Sequence, residues 1–116
     1  MRQEFLMISA TTAGNRQQVT ADVSDIIAAT GGWIINHTLF SNIAATIQFS
    51  LPSQGLDLFR QRVVAAGVRL NNEDLARIRA AIEKHATTLA DTTVSLNITF
   101  IHDDPDLRRE VPAVPG

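Results

Sequence analysis

His37, His85 and His102 are the side chains of this 116-residue chain best suited to moving a proton or holding a metal near neutral pH. No two of them stand at a metal-ligand spacing such as His-x-x-x-His. The sequence holds no cysteine, which removes disulfides, thiolate metal sites and cysteine nucleophiles together. Ser9 and Ser41 lack a nucleophile-elbow setting, and no Gly-rich phosphate loop occurs. Asp22 and Asp25 share a helix face three residues apart, as ordinary solvated carboxylates do. His85 falls near a helix end, where the dipole favours a positive side chain. His37 falls inside an apolar, strand-like run, and a lone strand histidine gives no acid–base pair. The chain therefore reads as non-enzymatic, with no catalytic set, no metal and no cofactor.

Charge narrows the partners in the same way. Arg60, Arg62, Arg69, Arg77, Arg79 and Lys84 cluster, but Asp57, Glu73, Asp74 and Glu83 are interleaved with them, the pattern of a salt-laced helical surface. The formal net charge of −2 supplies no excess of positive charge for a phosphate backbone, so nucleic acid is not an expected partner. An RNA-recognition sheet also needs stacking aromatics on its exposed face, and the polar faces of the two cleanest strands hold none. The apolar run near Met1 is shorter than a signal-peptide core and far shorter than a membrane span, which predicts a cytoplasmic chain without a membrane partner.

The elements that must position these groups follow from periodicity. Residues 5–10 have strand length and are apolar on both faces as far as Ile8, as expected in the middle of a sheet. Val19, Val23, Ile26, Ile27 and Thr30 form one helical stripe that ends at Gly31-Gly32. Residues 33–40 and 44–51 read as strands joined by a polar turn at Ser41-Asn42, a hairpin signal. In the second of them Ala45, Ile47, Phe49 and Leu51 alternate with Thr46, Gln48 and Ser50, so one face is buried and one is polar.

After Pro52, Leu56, Phe59, Val63 and Val64 mark a helix that stops at Gly67. A second helix follows, with Asn72 as its cap, Glu73 and Asp74 in its first turn, and Leu75, Ile78 and Ile82 as its buried face. Residues 94–101 alternate most cleanly, with Val94, Leu96, Ile98 and Phe100 on one side and Ser95, Asn97 and Thr99 on the other. The order predicts an α+β domain over residues 1–102, a ferredoxin-like βαββαβ sandwich with an extra helix before the last strand, followed by a tail at 103–116. A rival layout makes residues 68–71 a short extra strand between the two helices. A sheet with one open face and short edges gains stability by pairing, which predicts a homo-oligomer, most simply a dimer.

The first strand, the loop "TTAGNRQQ", the helix start Val19-Thr20-Ala21-Asp22-Val23, the turn at Gly31-Gly32 and the hairpin together resemble the ACT domain family over roughly residues 4–66. Members of that family sit beside enzymes of amino-acid metabolism and in tandem regulators of the glycine-cleavage type. The resemblance implies a free amino acid as ligand, held by the loop after the first strand at a subunit boundary. The implied ligand-binding residues are Thr12, Ala13, Gly14, Asn15, Arg16 and Gln18, with Asn36 either bordering that loop or joining the polar sheet face. The family's Gly-Pro-Asp-Arg-Pro-Gly falls on Ala13, Gly14, Asn15, Arg16, Gln17 and Gln18, so Arg16 matches, Asn15 stands for the acid and Gln18 for the last glycine, where its side chain intrudes on the ligand's space. The same two residues have a ligand-free meaning, because Asn-x-x-Gln is a capping box for the helix start. An alternative to the ACT type is a dimeric α+β barrel with its pocket over the open sheet face near His37.

Overall fold

The computed structural model describes residues 4–41, 43–85 and 90–101. The elements run β1 (Glu4–Thr12), α1 (Arg16–Ala29), β2 (Trp33–Ser41), β3 (Ala44–Pro52), a single 3-10 turn (Ser53–Gly55), α2 (Leu56–Ala65), β4 (Arg69–Leu70), α3 (Asn72–Lys84) and β5 (Asp91–Phe100). They form an α+β structure around one five-stranded sheet of order β2-β3-β5-β1-β4. β1 and β5 are parallel, and the other neighbours are antiparallel. The rival layout's extra strand is present as β4, two residues that pair with Ala10 and Thr11. His102 and the tail at 103–116 lie outside the described residues.

One face of the sheet is packed and the other is open. Leu6, Ile8 and Ala10 of β1 point into the core with Ala45, Ile47, Phe49 and Leu51 of β3 and Val94, Leu96, Ile98 and Phe100 of β5. This is the period-2 alternation read from the two later strands. β1 departs from its expected two-sided burial, because Phe5 and Met7 stand on the open face at 53% and 56% exposure. β1 lies between two strands, but all three helices cover the same side, so strand position and burial separate. Ser50, on the open side of β3, is nevertheless buried, and its hydroxyl has no partner among the described residues.

The helices lie over the buried face by the stripes that their spacing requires. Val19, Val23, Ile26 and Ile27 of α1 are buried, and the Thr30 hydroxyl donates to the Ile26 and Ile27 carbonyls at 3.1 and 3.0 Å. Gly31 then adopts φ +89°, a left-handed exit that L side chains resist. At Gly32 a Cβ would lie 2.5 Å from the Ser50 carbonyl oxygen, so the turn into β2 admits no side chain there. In α2, Leu56, Phe59 and Val63 are buried, whereas Val64, expected on the same stripe, is exposed. Phe59 meets Phe49 at a ring-centroid distance of 4.9 Å. The cap of α3 is Asn71 rather than Asn72: its side chain accepts the Asp74 N–H at 2.7 Å, one residue earlier than the sequence suggested. Ile78 and Ala81 of α3 are buried, and Leu75 and Ile82 are half-buried.

The charged helical surface forms as its interleaving predicts. Arg60 pairs with Asp57 at 2.7 Å, and Arg77 reaches Asp74 at 3.5 Å. The Arg60 hydrogen bond holds the Asp57 carboxyl below the usual carboxylate range. Among the described residues no helix is long and apolar enough to cross a membrane.

Candidate functional site

The loop from β1 to α1 is tied down by its own residues before any ligand is considered. Thr12 is buried, and its hydroxyl donates to the Gly67 carbonyl at 2.9 Å while accepting the Gly14 N–H at 3.1 Å. The hydroxyl thereby joins the loop to the turn after α2. Gly14 packs against α1 so closely that a Cβ would lie 2.7 Å from a methyl of Val19. Asn15 has extended backbone angles and accepts the Gln18 N–H at 3.0 Å, as an N-cap does. Gln18 does not complete the capping box. Its amide donates forward to Asp22 at 2.9 Å, so the box is half formed.

A groove of about 350 Å³ opens between the first turns of α1 and β2, lined by Arg16, Gln17, Thr20, Ala21, His37 and Leu39. Strand register decides what faces it. His37 pairs with the buried Ile47 and Leu39 with the buried Ala45, which puts both on the helix side of the sheet. Asn36 pairs with Gln48 and Thr38 with Thr46, and so they belong to the open polar face. The structure thus brings Arg16 to His37, two residues that the sequence assigned to rival sites. Asn36 lies on the opposite face, and His37 does not overlook the open face that the barrel alternative requires. Thr12, Ala13, Gly14 and Asn15 shape the loop without lining the groove, and Gln18, expected to obstruct a ligand, lies along the helix instead.

The groove can offer a cation from Arg16, an imidazole from His37 and a short apolar wall of Leu39 and Ala21. Asn15 takes only the third amide of α1, so the amides of Arg16 and Gln17 have no intrahelical partner and the positive end of the helix dipole lies beside the cation. No carboxylate lines it, so His37 has no acid–base companion there. Elsewhere, His85 is buried as the C-cap of α3, and its N–H donates to the Ala81 carbonyl at 3.1 Å. A larger hollow of about 580 Å³ lies between the start of β1 and α3, but its lining of Phe5, Leu6, Met7, Arg77, Ala80, Ala81 and Lys84 includes none of the predicted site residues. Among the described residues no group of three or more His, Asp or Glu side chains is placed to share a metal.

The chain matches no family model, no curated protein and no solved structure. The feature that sequence reasoning missed is the environment of β2, in which every residue from Trp33 to Ser41 is exposed. No periodic signal announces this, because an apolar run reads equally well as a buried strand.

Proposed function

We propose that this chain is a non-catalytic, small-molecule-sensing or oligomerisation module of the ACT type, serving the regulation of amino-acid metabolism as a cytoplasmic homo-oligomer. The observation that carries the sensing role is the groove in which Arg16 meets His37 at the start of α1. A free amino acid fits its chemistry: the carboxylate lies against Arg16 and the first-turn amides, and the side chain lies along Leu39. The ferredoxin-like plan has support in the strand directions. With β5 set aside, β4-β1-β3-β2 is that plan's order, with β1 and β2 running one way and β3 and β4 the other. The present chain differs by threading β5 between β3 and β1.

Thermal unfolding in the presence of each common amino acid at millimolar concentration tests the sensing role. A ligand at a hundred times its Kd stabilises the folded state by about 2.7 kcal/mol, a shift of several degrees in Tm. We expect at least one amino acid to raise Tm, and Arg16→Ala and His37→Ala to abolish the effect while leaving the unliganded Tm close to that of the parent, since both side chains are at the surface. No shift with any amino acid would remove the sensing role.

A further inference from the structure

We propose that residues 108–112 of this chain add as a further strand to the free half of the β1 edge, antiparallel to β1 and in line with β4, with Glu110 set against Arg77 of α3. This goes beyond the proposed function and depends on neither the α1–β2 groove nor its ligand.

The outer edge of β1 is closed only toward its C-terminal end. There β4 pairs with Ala10 and Thr11, and the Asp74 carboxylate accepts the Ser9 N–H at 2.8 Å. Thr12 turns its carbonyl the other way, to the Ile101 N–H at 2.8 Å. Backbone groups alternate in direction along a strand, so Phe5 and Met7 aim their N–H and C=O outward with Ser9, while Leu6 and Ile8 aim theirs at β5. Among the described residues nothing pairs with the outward groups of Phe5 and Met7. Beside them lies the hollow of about 580 Å³, whose α3 wall is formed by Arg77, Ala80, Ala81 and Lys84. The two alanines leave room for a backbone, and an unpaired edge beside a helix wall is the setting in which an extended segment adds to a sheet.

Charge and proline identify the occupant as the segment that follows β5, "DDPDLRREVPAVPG". In the register that sets Val111 beside Phe5 and Arg109 beside Met7, Glu110 lies opposite Leu6 in the hollow. Its carboxylate there meets Arg77, whose side chain is 54% exposed and reaches Asp74 only at 3.5 Å. Val111 covers Phe5, an apolar side chain left 53% exposed. Pro112, which has no N–H to give, takes a position that faces solvent. A slip of two places puts either Arg108 against Arg77 or Glu110 against the Asp74 carboxylate. A slip of one turns Pro112 toward β1 and carries Glu110 to the open face, away from Arg77. One register therefore satisfies charge, burial and backbone together.

The chain also reaches the edge. Ile101 leaves β5 level with Thr12, and the outward side of Met7 is about 20 Å away, given a rise of about 3.3 Å per residue along the strands and about 4.8 Å between them. The stretch from Ile101 to Arg109 spans up to about 26 Å. Its course round β4 crosses a second hollow, of about 310 Å³, lined by Thr11, Thr99 and Arg69 among others. Arg69 pairs with Thr11, which stands between the buried Ala10 and Thr12, so it belongs to the open face that the segment must cross. Among the described residues Arg69 makes no ion pair. Asp103, Asp104 and Asp106 pass beside it. Acid thus meets cation at both ends of the path.

The test uses the full chain and no ligand. Amide exchange followed by NMR should show Phe5 and Met7 protected along with Leu6 and Ile8. Val111→Pro removes a donor aimed at β1 and should speed exchange at Phe5 and Met7 at least tenfold, while Leu6 and Ile8 keep their rates. Arg108→Pro, whose missing N–H faces solvent, should leave all four unchanged. Because the sequence has no cysteine, Phe5→Cys with Val111→Cys introduces a single pair of thiols. Facing hydrogen-bonded residues of an antiparallel pair have Cα atoms about 5.5 Å apart, within disulfide range. Diamide should therefore close that pair within one chain, and close Phe5→Cys with Ala113→Cys several times more slowly. Exchange at Phe5 and Met7 as fast in the parent as in Val111→Pro, equal effects of proline at 108 and 111, or equal closure of the two thiol pairs would each overturn the proposal. Disulfide-linked dimers in place of the intrachain bond would overturn it too, and would give the edge to the same segment of a second copy.

Discussion

Asn15 and Gln18 stand three residues apart at the start of α1, yet Asn15 alone acts on the helix end. Asn15 satisfies a first-turn amide, so Asn15→Ala should cost about 0.5–2 kcal/mol in urea unfolding. Gln18 makes an exposed bond to Asp22 one turn on, so Gln18→Ala should cost less than about 0.5 kcal/mol. Equal costs for the two would mean that the capping box closes in solution. The cap was legible because Asn before a helical stripe has a local physical cause. The inward face of β2 was not. Its polar and apolar residues do not alternate, and its irregularities at 34–36 and 39–41 break the parity count, so only pairing with Ile47 places His37 on the helix side. For the same reason the sequence leaves Asn36 between the loop and the polar sheet face, and its pairing with Gln48 puts it on that face.

At the scale of elements, α3 and β1 meet through one carboxylate. Asp74 is buried in the first turn of α3 and accepts the Ser9 N–H just where β4 stops covering the edge of β1. A side chain thereby takes the place of a third rung of β4. Asp74→Ala strands that amide and should lower stability by about 1–3 kcal/mol in urea unfolding, whereas Asp74→Asn, whose amide oxygen still accepts, should cost less. The alternation in β3 and β5 and the stripes of α1 and α2 were readable because a one-sided sheet and its helices impose period 2 and period 3.6 on buried residues. Three features lay beyond that signal. β4 is too short to carry a period, the exposure of Phe5 and Met7 depends on which side all the helices take, and the cap of α3 lies between two adjacent asparagines, of which only the first reaches Asp74.

For the whole molecule, the packing of Phe49 against Phe59 joins the sheet to α2 at fully buried positions. Phe49→Ala should cost about 3–5 kcal/mol, a large share of the roughly 5–15 kcal/mol that holds a domain folded, and its urea midpoint should fall accordingly. The strand order has a consequence of another kind. β3 and β1 touch β5 and not each other, although β5 comes after every other described element along the chain. Until residues 91–100 have left the ribosome, the hairpin β2–β3 and the pair β1–β4 are two separate ribbons, each with a bare apolar side and a vacant slot between them. Final closure is thus a keystone event governed by the most distant contacts in the sequence, which makes folding slow for the domain's size and leaves the nascent chain, with the sticky β2 already made, most in need of a chaperone until β5 has emerged.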